Sequence, residues 1–270
     1  MLSIIIPSRV EKYLQKTVDD LNQKAREPIE VIVVLDGYLP DKPISGAIVL
    51  PMSKIGMRAC INEGTNVSKG DYIMKTDEHC MFDEGFDVKL KADCEDNWVV
   101  TPRRYRLDAE NWKILEDGRP PVDYMYQAII DGALRGWKDL DRGEKNKDIL
   151  IDDTMSFQGS CYFMKRKYWF DLLYPMDDVN YGPFANEAQE ICNKVWLSGG
   201  EVKVNKKTWY AHWYRTQNLY NFSKEQLKEF NDSVDAGHKY CIDYWLHKWQ
   251  GLHDYKWLVD KFNPPTRRAM

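Results

Sequence analysis

The sequence predicts an α/β protein: a doubly wound, Rossmann-like, mostly parallel sheet flanked by helices, followed by a helical tail rich in aromatic residues. Three observations predict it. Apolar, β-branched runs alternate with helical periodicity through the first 80 residues. The run Asp71-Tyr-Ile-Met-Lys-Thr-Asp-Glu-His-Cys80 ends in acids and a histidine, at the strand edge where open α/β sheets bind ligands. From Ser223 onward, Tyr240, Tyr244, Trp245, Trp249, Tyr255 and Trp257 recur at spacings that suit helices packed on a sheet, although aromatics interleaved with Lys239, His247, Lys248, His253 and Lys256 also suit a nucleic-acid or glycan acceptor.

Leu2-Ser-Ile-Ile-Ile6, closed by Pro7 and Ser8, reads as a buried parallel strand. Leu14, Val18 and Leu21 place a helix over Glu11 to Ala25. Ile29-Glu-Val-Ile-Val-Val-Leu35 is a second strand, and Ile48-Val-Leu50 a short third. A helix from Ile55 to Val67 carries Arg58 toward the next strand, 71–77. Trp98-Val-Val-Thr-Pro102 is a further strand candidate. The charged stretch to Lys147 predicts no fold. Its Arg103-Arg-Tyr-Arg106 cluster is expected to be a solvated face, with a phosphate or an acceptor contact as the alternatives.

The chain has 270 residues, 43% of them apolar, enough for one core with an elaborated edge. Charged residues make up 30% with a net charge of −4, which disfavours a dedicated non-specific DNA binder. The six cysteines (60, 80, 94, 161, 192 and 241) form no CxxC pair and read as reduced thiols. Pro7 cuts the first apolar run short of a signal peptide, and no segment reaches the about 18 apolar residues of a membrane span. The expected location is therefore the cytoplasm. Arg267-Arg268 reads as a frayed terminus.

Period-2 geometry projects Asp77 and His79 to one side and Glu78 to the other, so one oxygen and one imidazole nitrogen can share a divalent cation. That pair suits Mn²⁺ or Zn²⁺ better than Ca²⁺. Asp36, ending the second strand, is placed to contact a nucleoside; a plain Asp-Gly turn is the competing reading. With no GxGxxG and no Walker lysine, any bound phosphates must be met by a metal and basic side chains.

Four separated segments carry a resemblance. Ile4-Ile-Ile-Pro-Ser8, Val-Ile-Val-Val-Leu-Asp36 and Lys-Thr-Asp-Glu-His-Cys80, with Arg58 and Gly64 ahead of the last, resemble the nucleotide-sugar half of metal-dependent glycosyltransferases with the GT-A fold. The Asp-x-His-Cys form is similar to that of the polypeptide N-acetylgalactosaminyltransferases. Gln158-Gly-Ser-Cys-Tyr-Phe-Met-Lys-Arg-Lys-Tyr-Trp169 resembles that family's Gly-Gly-Leu-Phe-Ala-Ile-Asp-Arg-Lys-Tyr-Phe segment. Phe184-Ala-Asn-Glu-Ala-Gln-Glu190 with Lys194-Val-Trp-Leu-Ser-Gly-Gly200 resembles its Trp-Gly-Gly-Glu-Asn-x-Glu and Val-Trp-x-Cys-Gly-Gly motifs. Ala211-His-Trp-Tyr-Arg215 with Tyr220 keeps its His-x-x-Arg-x4-Tyr spacing. Phe184, Ala185 and Asn186 depart from Trp-Gly-Gly, Lys165 replaces an Asp, and no lectin domain follows.

The resemblance implies a catalytic domain over 1–222, with a nucleotide-binding half (1–80), a variable insert (81–156) and a donor/acceptor half (157–222), and a helical extension over 223–270. It implies Mn²⁺ or another divalent cation held by Asp77, His79 and His212, with a UDP-sugar as donor. Asp36 would contact uracil or ribose, and Arg58 the pyrophosphate or the metal-ligand carboxylate. Arg215 would contact the diphosphate, and Tyr220 would add a hydrogen bond from a flap. Glu187 would hold donor hydroxyls, and Glu190 would do the same or orient the acceptor or donor sugar. Transfer would retain anomeric configuration by front-face displacement, the diphosphate oxygen taking the acceptor proton. The expected function is transfer of a hexose or N-acetylhexosamine to a hydroxyl on a macromolecule, either a protein or glycan or a hydroxymethylated base in DNA. A sugar-phosphate nucleotidyltransferase and a non-catalytic nucleotide-sugar or nucleic-acid binding module are the rival readings.

Overall fold

The computed structural model describes residues 1–9, 12–214 and 222–265. Its first third follows the alternation of the sequence: β1 (Leu2–Ser8), α1 (Leu14–Lys24), β2 (Ile29–Asp36), β3 (Ile48–Met52), α2 (Met57–Val67) and β4 (Tyr72–Thr76). The strands pair in parallel in the order β4-β1-β2-β3. Alternation decides the layers. Ile4 and Ile6 of β1 join Leu14, Val18 and Leu21 of α1 in one core, while Ile5 faces the other way into a core with Ile61 of α2. Gly64 allows that second contact, because a Cβ there would stand 2.6 Å from Ile5 Cγ2.

The insert without a predicted fold is ordered into strands. After β5 (Cys80–Phe82) and α3 (Phe86–Ala92), the strand expected to end at Pro102 continues as β6 (Trp98–Asp108) through the arginine cluster. Then come β7 (Lys113–Ile114), the hairpin of β8 (Met125–Ile130) and β9 (Ala133–Lys138), α4 (Leu140–Lys145) and β10 (Ile151–Asp153). β8 and β9 pair with each other as a separate two-stranded sheet, tied to the rest by a bridge between Met125 and Ser156.

The second half closes the main sheet. β11 (Cys161–Lys165) inserts antiparallel between β4 and β6, and is followed by the short α5 (Arg166–Tyr168) and a π-helical turn at Trp169–Leu173. α6 (Glu187–Leu197) packs across the sheet, and β12 (Glu201–His212) pairs parallel with β6. The resulting path is β10-β12-β6-β11-β4-β1-β2-β3. The register of β12 shifts between Asn205 and Trp209, which lets one long strand pair with Trp98–Pro102 and again with Arg103–Arg106.

The tail comprises α7 (Lys224–Asp243), a π-helical turn at Tyr244–Lys248 and α8 (Tyr255–Phe262). Ser223 caps α7 through a reciprocal hydrogen-bond pair with Gln226. Cys241, Trp245, Tyr255 and Leu258 are buried in the same core as α6. All six cysteines are buried and free. No helix among the described residues is long and apolar enough to cross a membrane.

Candidate active site

A cavity of about 730 Å³ opens at the carboxyl edge of β1, β2 and β4. β4 stops at Thr76, so Asp77, Glu78 and His79 form the turn into β5 rather than strand. The expected division of that triplet is nonetheless what the turn produces. Glu78 is drawn off to accept a hydrogen bond from Arg9 N at 2.9 Å, and Thr17 Oγ1 of α1 holds its carbonyl at 3.0 Å. Asp77 and His79 face His212, which β12 sets directly opposite Cys80. The two imidazole Nε2 atoms lie 3.0 Å apart, and Asp77 Oδ2 lies 3.2 Å from His212 Nε2 and 3.9 Å from His79 Nε2.

Ligand atoms bound about 2.0–2.2 Å from one cation stand about 3 Å from one another. The three side chains fit a divalent ion on that measure, and their ligand atoms all fall within 4.8 Å. Burial lowers the pKa of His212 to about 4, against the opposing pull of Asp77. The imidazole is therefore neutral at physiological pH, the state a ligand needs.

Beneath the triad lies a residue that the motifs did not single out. Lys75, 1% exposed, donates to Asp77 Oδ1 at 2.7 Å, to the Gly159 carbonyl at 2.6 Å and to Glu187 Oε2 at 3.3 Å. Burial alone would lower its pKa, but the two carboxylates outweigh burial and raise it. In return Lys75, with His212, holds the Asp77 carboxyl well below its usual range although burial opposes this. Glu187 goes the other way: burial raises its pKa and Lys75 only partly reverses the shift. One oxygen of Asp77 is thus committed to Lys75 and the other is left for the imidazoles. Gly159 leaves room for Glu187, since a Cβ there would meet Glu187 Oε2 at 2.5 Å. The signal for Lys75 was present in the sequence, as a lysine inside an apolar strand two positions from Asp77 shares its side of the chain.

At the other end of the cavity, Asp36 is buried. Its Oδ1 accepts from Ile55 N at 2.7 Å and Gly56 N at 2.9 Å, and its Oδ2 lies 3.5 Å from Arg9 Nη1. Glu187 opens α6 and lines the cavity. Before it, Asn186 sits at φ 52°, the left-handed region where glycine and asparagine are favoured. This explains why Asn can stand where the resembled motif has Gly. Asn186 Nδ2 donates to the Leu134 carbonyl at 2.8 Å, and its Oδ1 lies 2.6 Å from His238 Nδ1 of α7.

Arg58, Glu190 and the arginine cluster sit differently from what the sequence suggested. Arg58 and Glu190 do not line the cavity: both are fully buried behind it and pair with each other. Arg58 also donates to the carbonyls of Ala185 at 2.9 and 2.6 Å and Asp177 at 3.2 Å, and it stacks on Tyr181. Glu190 takes Lys194 at 2.6 Å. They hold α2 to α6. The arginine cluster is not one solvated face. Strand alternation sets Arg103 on one face, in a bidentate pair with Asp123 (2.7 Å each), and Arg104 and Arg106 on the other, where Arg106 pairs with Asp117. Arg104, 6% exposed, reaches into the cavity and donates to Gln158. Arg215, Tyr220 and Arg267-Arg268 lie outside the described residues.

Comparison with known proteins agrees with this architecture. The sequence is 22% identical over 227 residues to a putative polypeptide N-acetylgalactosaminyltransferase 13 of Drosophila melanogaster, covering 80% of this chain and 37% of that protein. The chain thus spans little more than a third of that curated relative. Its fold is similar to the crystal structure of GalNAc-T7 with UDP, GalNAc and Mn²⁺, with a TM-score of 0.70 and 16% identity over 97% of this chain and 54% of the other. It is also similar to S. aureus TarS 1–349 in complex with UDP-GlcNAc, with a TM-score of 0.52 and 13% identity over 86% and 64%. The GT-A fold read from the four segments is therefore borne out. The sequence model of glycosyl transferase family 2 matches residues 3–173, nearly two thirds of the length, and this chain belongs to that family.

Proposed function

We propose that the protein is a metal-dependent, retaining glycosyltransferase that moves a hexose or N-acetylhexosamine from a UDP-sugar to a hydroxyl on a macromolecule. The convergence of Asp77, His79 and His212 in one ligand-sized cavity, with Asp36 at its far end, carries this reading. A sugar-phosphate nucleotidyltransferase fits less well, because the turn after β1 carries no glycine-rich phosphate loop. Relatives seen with UDP and Mn²⁺ or with UDP-GlcNAc support the donor class.

Asp77, His79 and His212 would hold Mn²⁺, which when bound offsets charge on the departing diphosphate. Asp36 accepts from the uracil or ribose, and its anchoring of the Ile55–Gly56 backbone fixes that end of the cavity. Glu187, held by Lys75, accepts from donor hydroxyls rather than serving as nucleophile. A carboxylate already committed to an ammonium is a poor attacking group, and retention then follows from attack on the face the diphosphate leaves, whose oxygen takes the acceptor proton. Arg58 and Glu190 act as positioning residues behind that wall.

UDP release from a panel of UDP-sugars, with and without Mn²⁺, tests the reading. His212→Ala should lose the metal-dependent release by more than the roughly 10–100-fold cost of removing only a supporting partner of a metal ligand. Release that is metal-independent, or equal in the variant, would remove the triad from the mechanism.

A further inference from the structure

The strand order sets the two ends of the cavity on opposite sides of the triad. Asp36 ends β2 and Asp77 follows β4, with β1 between them; on the other side of β4 come β11 and then β6, which carries Arg104. At about 4.8 Å per strand, each end lies roughly 10 Å from Asp77. The donor's nucleoside belongs at the Asp36 end, so the wall beyond Arg104 faces the acceptor.

That wall is cationic. Arg104, Arg135 and Lys138 line the cavity, the last two from the β8–β9 hairpin. Arg106 and Arg119 stand behind them and share a single carboxylate, Asp117. Among the described residues no carboxylate lies within ion-pair distance of Arg135 or Lys138. The acids that line the cavity are engaged elsewhere: Asp77 and Glu187 by Lys75, Asp36 by Ile55 and Gly56 N–H, and Glu78 by Arg9 N. The ammonium of Lys138 registers the excess. Its pKa is lowered by desolvation and then by Arg104, Arg119 and Arg106, with Asp117 opposing. Two aromatic rings share this lining: Trp137 of β9, partly packed against the core, and Tyr214, which sits under Arg104 with its ring centre 5.9 Å from the guanidinium carbon.

We infer that the acceptor is a nucleic acid strand, its phosphodiesters met by Arg104, Arg135 and Lys138 and its bases stacked on Trp137 and Tyr214, with a base-borne hydroxyl presented to the donor. This deepens the transferase reading and rests on it. A polyol phosphate has the same anionic backbone but nothing to stack on the rings, and a neutral peptide or glycan has no use for the charge. In a duplex the modified base must leave the stack to reach the triad, so single-stranded substrate is preferred.

The test has two arms. Fluorescence anisotropy with a labelled single-stranded oligonucleotide bearing 5-hydroxymethylpyrimidine reads binding, whether or not any sugar is transferred. The wild type should bind with an affinity that falls steeply with salt. Arg135→Ser/Lys138→Ser should weaken binding at least about tenfold and flatten the slope of log K against log salt by about 1.4, at roughly 0.7 for each phosphate no longer neutralised. Thermal melting of the variant confirms that it is folded. The second arm measures wild-type UDP release from UDP-sugar alone and with the oligonucleotide, a poly(ribitol phosphate) or a hydroxyl-bearing peptide. Stimulation by the oligonucleotide supports the inference. Stimulation by either rival, or a folded variant with an unchanged salt slope, overturns it. Failure of the transferase reading shows separately, as absence of UDP release with every addition.

Discussion

A lysine with 1% of its side chain exposed stays charged only if carboxylates are held within reach, and Lys75 has two. Its contacts with Asp77, Glu187 and the Gly159 carbonyl tie the proposed metal ligand to the residue proposed to hold the donor sugar. Lys75→Met would leave two neighbouring carboxylates without their cation. Partial exposure of Asp77 softens the loss, so the expected cost is about 3 kcal/mol, read as a lowered urea midpoint; a loss below about 1 kcal/mol would show that the lysine is replaceable. At this scale the sequence was partly legible. Asp77 and His79 stand out because acid and imidazole alternate just past an apolar run. Lys75 carried the same positional signal, at the head of the Lys-Thr-Asp-Glu-His-Cys80 stretch, but no role was read for it. The pairing of Arg58 with Glu190 was not legible, because no local pattern tells a helix charge facing a cavity from one paired behind it with a partner 132 positions away.

Between elements, the Arg58–Glu190 pair is what fixes α2 against α6, and both residues are fully desolvated. Removing one partner of such a pair strands a buried charge, so Arg58→Met should cost about 3–5 kcal/mol. Arg58→Met/Glu190→Met should cost less than the single change, since Lys194 can turn its ammonium to solvent. A double-mutant cycle in urea checks this, and additive costs would contradict it. The elements that sequence periodicity located best are those with an apolar face: β1, β2, α1 and α2 match their predicted spans within a few residues. β6 was missed beyond Pro102 because its second half carries arginines whose acidic partners, Asp117 and Asp123, lie in the segment without periodicity. The β8–β9 hairpin was missed for a similar reason, since it packs as a separate sheet with Ile129 and Arg135 exposed.

For the whole molecule, one strand order brings together residues from both ends of the chain. Asp36 and Asp77 come from the first third and His212 from the last strand, which β12 reaches only because a register shift lets it pair twice with β6. The tail belongs to the same body, with Trp245 buried beside Tyr181, to which its indole donates at 2.8 Å. Order and spacing of motifs made the family legible, but the cationic wall of the cavity was not, because Arg104, Arg135 and Lys138 lie in an insert that matches none of them. The central claim is that Asp77, His79 and His212 form one cation site. Titration of the protein with Mn²⁺ in the presence of UDP, followed by the loss of the free-ion electron paramagnetic resonance signal, tests it most directly. One ion bound per chain, and none in Asp77→Asn or His212→Ala, is the predicted result. Wild-type-like binding in either variant, or no binding by the wild type, would contradict it.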